Sequence, residues 1–247
     1  MTGRTDSSSW AGKVVLVTGG ASGIGAAAAR RFAARGGHIV LADIDQERGE
    51  AVAEEVGGLF VRTDVAEPAD NERLVRAAVD RFGALDLVCL NAGVFAGSDI
   101  GESFDPVAYR RLIAVNVDGV VHGVQAVAPV LRKCGGGAIL VTGSLTGLRP
   151  SPSVFYSASK HAVVGLVRSL GPVLAEDGTT INVLCPSAVD TPMVKGLVPQ
   201  WQAVGVPVAT VDMVVDAMET VLDDGRSGQA WVVAADTGVH RFEFADV

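Results

Sequence analysis

The sequence has few aromatic residues, few cysteines and no cluster of positive charge. Aromatic residues occupy 5% of its 247 positions, and Cys89, Cys134 and Cys185 are widely spaced without a C-x-x-C pair. We therefore expect free thiols, no metal site and the reducing cytoplasm as the location. The formal net charge of −8 and the lack of a basic run argue against nucleic acid or an anionic membrane as partner.

Long hydrophobic segments are also scarce. No stretch approaches the roughly 18 uncharged apolar residues that would suggest a membrane span. Residues 1–10 are polar and lack the apolar centre of a signal peptide. We expect them to form a loose N-terminal tail.

The sequence is rich in small apolar residues, arranged in alternating segments. Hydrophobic residues make up 49% of the chain, with 30 glycines, a composition that suits buried parallel strands under closely packed helices. The predicted strands are Val14–Val17, Ile39–Ala42, Leu59–Val61, Leu87–Leu90, Ala138–Thr142, Thr180–Leu184 and Trp231–Ala234. The predicted helices are Gly23–Arg35, Glu47–Glu55, Pro68–Phe82, Pro106–Arg132, Tyr156–Glu176 and Val211–Leu222. This alternation predicts a single α/β domain over residues 1–247, with a doubly wound, seven-stranded parallel sheet in three α/β/α layers.

One segment interrupts the alternation. Residues 191–210 contain Pro192, Pro199 and Pro207 and follow the sixth predicted strand. Ligands bind beyond the carboxyl ends of parallel strands, so this segment is a candidate substrate lid. An ordinary surface connection is the alternative.

A glycine-rich turn joins the first strand to the first helix. Residues 18–25 read TGGASGIG. Glycines permit positive φ and close approach of the backbone, and a helix N-terminus offers free N–H groups to a pyrophosphate. We expect Gly19, Ser22, Gly23 and Ile24 to bind a dinucleotide, although helix–sheet packing also selects glycine.

A carboxylate follows the second strand. Asp43 lies 18 residues after Gly25, where it can accept hydrogen bonds from ribose hydroxyls and would repel a 2′-phosphate. Ile44 and Asp45 follow it, so no basic residue flanks it in the sequence. This favours NAD over NADP. The alternative role for Asp43 is to cap the next helix.

The pentad YSASK, residues 156–160, indicates acid–base chemistry. Residues four apart lie on the same face of a helix, so Tyr156 and Lys160 project together. An ammonium beside a phenol favours the phenolate and lowers the pKa of the phenol. Such a phenol can exchange a proton with an alcohol or a carbonyl near neutral pH.

In order and spacing, these motifs resemble those of the short-chain dehydrogenase/reductase family, over nearly all of residues 11–238. The resemblance implies a Rossmann-type fold, a homotetramer or homodimer, and catalytic roles for Asn116, Ser144, Tyr156 and Lys160. It also places on the cofactor Ile44, Asp64, Val65, Asn91, Ala92, Gly93, Pro186, Val189 and Thr191, together with Tyr156 and Lys160.

The chain departs from the family pattern at two places. Ser144 precedes Tyr156 by 12 residues, where 13 is usual, and Ser151 and Ser153 are rival hydroxyls in the intervening loop. Ser187 stands where the family has a glycine after the proline that ends the sixth strand.

The resemblance implies reversible oxidation of a secondary alcohol to a ketone with NAD. Tyr156 would exchange the proton, Lys160 would lower the pKa of Tyr156 and bind the nicotinamide ribose, Ser144 would orient the substrate oxygen, and Asn116 would complete a proton relay. The alternatives are an NADPH-dependent carbonyl or 3-oxoacyl reductase, and a sensor or scaffold that binds the dinucleotide without catalysis.

The expected substrate pocket is mostly apolar, which favours a hydrophobic alcohol or ketone. It would be formed by residues 94–99, the loop 145–155 and the segment 191–210. Its expected lining includes Val94, Phe95, Leu145, Val154, Phe155, Met193, Leu197 and Trp201.

Overall fold

A computed structural model of the chain describes residues 10–95 and 100–245. The strands are β1 (Val14–Thr18), β2 (His38–Asp43), β3 (Leu59–Arg62), β4 (Leu87–Leu90), β5 (Gly137–Thr142), β6 (Thr179–Pro186), β7 (Ala230–Ala234) and β8 (Gly238–Arg241). The helices are α1 (Gly23–Ala34), α2 (Gln46–Val56), α3 (Pro68–Phe82), α4 (Pro106–Ile113), α5 (Gly119–Lys133), α6 (Val154–Ala175), α7 (Val198–Ala203) and α8 (Val211–Asp224).

The strands form one sheet in the order β3-β2-β1-β4-β5-β6-β7-β8. Neighbouring strands from β3 to β7 pair in parallel, and β8 pairs antiparallel with β7. The predicted doubly wound α/β fold is confirmed, but the predicted count of seven strands is one too low. Gly238, with φ of +70°, follows a tight turn and lets the chain return along β7. The missing strand is β8, GVHR, a stretch in which the sequence analysis predicts neither a strand nor a helix.

Helices cover both faces of the sheet, as expected for three layers. Helices α1, α2 and α8 pack on one face, against residues such as Val15 and Val17 of β1. Helices α3, α5 and α6 pack on the other face, against the alternating residues Val14 and Leu16. Each central strand is therefore buried on both sides, which explains its continuous apolar sequence.

Two helical predictions need correction. The predicted continuous helix Pro106–Arg132 is divided into α4 and α5 by a π-helical turn at Ala114–Asp118. The segment 191–210, predicted to be irregular, contains a 3₁₀ turn at Pro192–Val194 and the short helix α7. Pro192 and Pro199 lie in the first turns of these pieces, where a missing N–H does no harm.

The predicted loose tail, residues 1–10, is wrong at Trp10. The Trp10 side chain is buried and meets the Phe32 ring of α1 edge to face at 4.9 Å between centroids. Its backbone N–H donates to the Arg35 carbonyl. Residues 1–9 lie outside the described part of the chain.

The stretch Pro106–Lys133 is long and apolar enough to cross a membrane, judged by length and composition alone. The sequence analysis predicts no segment long and apolar enough to span a membrane, so this helix differs from that expectation. Val120, Val124, Val127 and Leu131 of α5 are buried beneath the sheet. A core helix passes the same test, so this stretch is a weak membrane signal.

The sheet order reverses between β1 and β4, since the chain moves outward from β1 to β3 and then returns to the other side. Crevices for ligands form where strand order reverses, beyond the carboxyl ends of the strands. The predicted site residues should therefore meet above β1, β4 and β5.

Candidate active site

The glycine turn after β1 is closely packed against the end of β4. A Cβ atom on Gly25 would lie 2.2 Å from the Gly19 carbonyl oxygen and 2.7 Å from Asn91 Nδ2. A Cβ atom on Gly19, which has φ of +65°, would lie 2.8 Å from Ala92 Cα. Both positions require glycine, so helix–sheet packing and close approach of the backbone act together here.

Asn91 joins the ends of three strands. Its Nδ2 donates to the carbonyls of Thr18 and Gly19 at 3.1 and 3.3 Å, and its Oδ1 accepts from Thr142 Oγ1 at 3.0 Å. The Thr18 hydroxyl accepts from the N–H groups of Asn91 and Ala92. These bonds fix the glycine turn relative to β4 and β5. Thr18 and Thr142 were not singled out from the sequence, although each is the last residue of its strand.

The start of α1 is open to an anion. Ser22 is its N-cap residue and makes no side-chain capping bond, and the first turn carries no acidic residue. Free N–H groups and the positive end of the helix dipole therefore remain available. Thr191, from the segment after β6, lies beside this turn, with its Cγ2 3.4 Å from where a Cβ atom on Gly23 would be.

The Asp43 carboxylate is held beside the glycine turn. Its Oδ2 accepts from Ala21 N and its Oδ1 from Asp45 N, each at 3.0 Å. The helix cap of α2 is Asp45, whose side chain accepts from Arg48 N. Asp43 therefore does not cap the helix.

A basic group does lie near Asp43, contrary to the sequence-based expectation. Arg48, in the first turn of α2, forms an ion pair with Asp45 at 2.6 Å. Its pKa is raised chiefly by the hydrogen bond to Asp45, and Asp43 contributes a smaller attraction. The i to i+3 spacing from Asp45 was the signal that could have found it.

The other predicted cofactor residues surround the same end of the sheet. Ile44 is exposed after β2, and Val65 is buried after β3. The Asp64 carboxylate accepts from Arg111 at 2.9 Å, a partner that the sequence did not suggest. Val189 is buried and forms an isolated bridge with Ala209.

Pro186 ends β6, and Ser187 follows it with an ordinary backbone conformation, because no described residue other than glycine has positive φ. The family's glycine is therefore not required here. The Ser187 hydroxyl is buried and has no hydrogen-bond partner among the described residues. An unpaired buried hydroxyl needs a partner. With the uncapped α1 and the crowded glycines, it fits a site built for a bound dinucleotide.

The crowding at Gly25 gives a stability prediction. Gly25→Ala should lower the free energy of unfolding by about 2 kcal/mol or more, because its methyl group would overlap a backbone carbonyl. Gly165→Ala is the matched control, since a Cβ atom there meets nothing within 4 Å and α6 would gain about 0.5–1 kcal/mol. Urea unfolding measures both. Equal midpoints for Gly25→Ala and the wild type would contradict the packing described.

Tyr156 and Lys160 lie together in the first turns of α6. Lys160 Nζ is 5.7 Å from the centroid of the Tyr156 ring. The ammonium donates to the Thr142 carbonyl at 2.9 Å, beyond the last pairing of β4 with β5 at Leu90 and Val141. Gly93 lies alongside, with Lys160 Nζ 3.7 Å from where its Cβ atom would be. The two side chains expected to act together are therefore adjacent, above the ends of β4 and β5.

Ser144 reaches the same place despite the shorter loop. It follows β5, is buried, and lies close enough to Tyr156 to favour a lower pKa of that phenol. The rival Ser151 accepts from Ser153 N within the loop. A 3₁₀ turn at Leu145–Gly147 carries the chain from Ser144 to the loop.

Burial controls the two titrations in the site. Burial raises the pKa of Tyr156 above its ordinary value, and the hydrogen bond from Ser144 opposes this. Burial also lowers the pKa of Lys160 to about 8. The expected lowering of the Tyr156 pKa by Lys160 is wrong for the protein alone, because burial of the phenol is the largest influence on its pKa.

Asn116 is fully buried in the π-helical turn between α4 and α5. Its Oδ1 accepts from Val94 N at 2.8 Å, and its Nδ2 donates to Val94 O at 3.0 Å and Ser159 Oγ at 3.2 Å. Its side chain thus ties the segment after β4 to α6. A π turn leaves the local i to i−4 hydrogen-bond pattern broken and is common at functional sites.

Of the expected substrate-binding residues, Phe95 contacts Tyr156 directly. Phe95 meets the Tyr156 ring edge to face at 5.1 Å, and Val94 is held by Asn116. Leu145 is partly buried beside Ser144, and Met193 is half exposed in the segment after β6. Residues 96–99, also expected to line the pocket, lie outside the described residues. Within the described ranges, no group of three or more His, Cys, Asp or Glu side chains could hold a metal ion.

Comparison with known proteins agrees with this geometry. The family model described as short chain dehydrogenase matches residues 13–202. Short-chain dehydrogenase reductase ATA1 of Arabidopsis thaliana is 41% identical over 72% of this chain, and the match spans 66% of that relative. Levodione reductase of Leifsonia aquatica is 35% identical over 76% of this chain and 73% of its own length.

The solved structures agree as well. A crystal structure of levodione reductase superimposes with a TM-score of 0.85 at 30% identity, covering 91% of this chain and 97% of that one. The 3-ketoacyl-(acyl-carrier-protein) reductase of Brucella melitensis, complexed with NADH, gives 0.86 at 30% identity, covering 92% and 98%. These relatives support an oxidoreductase with a nicotinamide dinucleotide cofactor. The chain belongs to the short-chain dehydrogenase family.

Proposed function

We propose that this protein interconverts a secondary alcohol and its ketone with NAD(H). The observation that carries the proposal is the convergence of Tyr156, Lys160 and Ser144 above the ends of β4 and β5, beside the glycine turn. A non-catalytic sensor or scaffold would not require these three groups close together. A homotetramer in the cytoplasm remains our expectation for the assembly and location.

The residues present assign the proton chemistry. Tyr156 exchanges the proton with the substrate oxygen, and Ser144 donates a hydrogen bond to that oxygen as charge develops on it. Lys160, as ammonium, stabilises the phenolate form of Tyr156 and is in place to bind a ribose hydroxyl. Asn116 supports the relay by fixing the segment after β4 to α6. A bound nicotinamide supplies the hydride acceptor or donor.

The substrate class follows from the lining. Phe95 packs on the Tyr156 ring, and Leu145 and Met193 add apolar side chains from the segments after β5 and β6, which favours a hydrophobic alcohol or ketone. The likeness to a 3-ketoacyl reductase makes an oxoacyl compound the second candidate. The direct experiment is a panel of secondary alcohols and oxoacyl thioesters, with absorbance of NADH followed at its nicotinamide band. Absence of turnover and of dinucleotide binding would reject the proposal.

The choice of NAD over NADP depends on Asp43. Its fixed carboxylate would repel a 2′-phosphate, while the cation nearby, Arg48, is neutralised by Asp45. Asp43→Ser should shift the ratio of kcat/KM for NADP⁺ over NAD⁺ upward by about 10-fold to 10³-fold, since a desolvated charge repulsion of a few kcal/mol is removed. Asp64→Asn is the control: it alters the neighbouring strand end and should leave the ratio unchanged. An unchanged ratio in Asp43→Ser would assign the choice to another group.

A further inference from the structure

Thr146 contacts the Ser144 hydroxyl through both its backbone N–H and its side-chain hydroxyl. The Ser144 hydroxyl oxygen accepts from Thr146 N at 3.2 Å and from Thr146 Oγ1 at 3.0 Å. A serine hydroxyl has two acceptor positions and a single hydrogen to donate. Both acceptor positions are thus filled by Thr146, and the hydrogen is left for the oxygen of Tyr156 or of a substrate.

The turn that carries Thr146 is fastened to α6. The Thr146 carbonyl accepts from Ser157 Oγ at 2.7 Å. Gly147 lies against the Lys160 backbone so closely that a Cβ atom on it would be 2.6 Å from the Lys160 carbonyl oxygen. Thr146 is therefore held in a fixed position relative to Tyr156 and Lys160.

We propose that Thr146 is a positioning residue, whose hydroxyl orients Ser144 to donate its hydrogen bond toward Tyr156 and the substrate oxygen. This inference rests on the proposed function and adds a residue to it. A hydrogen bond donated to the phenolate favours that form, whereas one accepted from the phenol favours the neutral form. Because Thr146 fills the acceptor positions of Ser144, Ser144 cannot accept a hydrogen bond from the neutral Tyr156 phenol.

The chain permits a spectroscopic test, because it has only two tyrosines, Tyr109 and Tyr156. In a Tyr109→Phe background, ultraviolet absorbance near 295 nm reports the ionisation of Tyr156 alone. The titratable groups that face Tyr156 are Lys160 on α6 and Cys185 on β6; Phe95, after β4, is uncharged. These groups are the same in every variant, so differences at one pH reflect Thr146.

Thr146→Val removes the hydroxyl and keeps the shape. At each pH below the onset of unfolding, it should lower the tyrosinate fraction about threefold to tenfold, the effect of one hydrogen bond to a charged group. It should also lower kcat about tenfold with KM within twofold. Thr146→Ser should restore both quantities to within about twofold of the parent. Thr220→Val, which removes an exposed threonine hydroxyl on α8, should change neither.

The outcomes separate the two proposals. If Thr146→Val titrates like its parent, or if Thr146→Ser is impaired as much as Thr146→Val, the positioning role is wrong. Failure of the proposed function would instead appear as full activity in Tyr156→Phe. The titration of Tyr156 is measured separately, in the Tyr109→Phe background, so it can still show whether Thr146 orients Ser144.

Discussion

Tyr156→Phe should lower kcat about 10³-fold or more, while the dissociation constant of NADH stays within a few-fold of wild type. The phenol oxygen is the group that exchanges the proton with the substrate, and acid–base catalysis of this kind contributes about 10²- to 10⁴-fold. Phenylalanine retains the ring, so the edge-to-face contact with Phe95 at 5.1 Å is preserved. Turnover is measured from NADH absorbance, and binding from NADH fluorescence.

Tyr109→Phe is the matched control. Its ring packs against Phe104 and Phe155 at 5.9 and 5.1 Å between centroids, contacts that phenylalanine also makes. We expect its kcat within about twofold of wild type. A Tyr156→Phe variant as active as this control would show that another group transfers the proton, and the proposed mechanism would have to be abandoned.

Local periodicity and strand ends were sufficient to predict how many of the candidate site residues are placed relative to one another. Tyr156 and Lys160 are four residues apart on one helix, so their adjacency requires only helical geometry. Gly19 follows β1 and Asp43 ends β2, and these strands lie side by side in a parallel sheet, so their ends must meet at one edge. Predictions that depend on a single element, or on neighbouring strands, carried over to the structure with few changes.

The remaining features depend on contacts between distant segments. The π-helical turn that contains Asn116 departs from helical periodicity, and the Asn116 side chain is bound to Val94, 22 residues earlier in the chain. Arg111 of α4 pairs with Asp64, which follows β3, and Lys160 of α6 donates to the Thr142 carbonyl at the end of β5. No spacing rule links these pairs.

The pKa of Tyr156 likewise depends on the whole fold and could not be predicted from local spacing. The sequence supplied the nearby cation, but the extent of burial is a property of the whole fold. Burial opposes the charged forms of both Tyr156 and Lys160. The charge state of the pair in the protein alone therefore could not be predicted from their spacing.

Lys160→Met should make the folded protein more stable at neutral pH while lowering kcat about 10²-fold or more. Lys160 is buried, and a fall in its pKa from 10.5 to about 8 corresponds to about 3 kcal/mol of unfavourable burial of its charge. Loss of the hydrogen bond to the Thr142 carbonyl opposes this by about 1 kcal/mol. The expected net gain in the free energy of unfolding is about 1–2 kcal/mol at pH 7.

The lowered pKa of Lys160 determines how the stability of the wild type changes with pH. Below about pH 8, Lys160 is protonated in both the folded and unfolded states, so the burial cost is fully present. Between about pH 8 and 10.5, the unfolded chain binds more protons than the folded protein, so the stability of the wild type rises with pH. Urea unfolding should therefore show that the stability advantage of Lys160→Met over wild type is smaller at pH 10 than at pH 7.

Lys133→Met is the control. Lys133 lies at the exposed end of α5, so the substitution should change the free energy of unfolding by less than about 0.5 kcal/mol at both pH values. If the free energy of unfolding of Lys160→Met is lower than that of wild type at pH 7, Lys160 stabilises the fold, and the predicted cost of burying its charge is wrong.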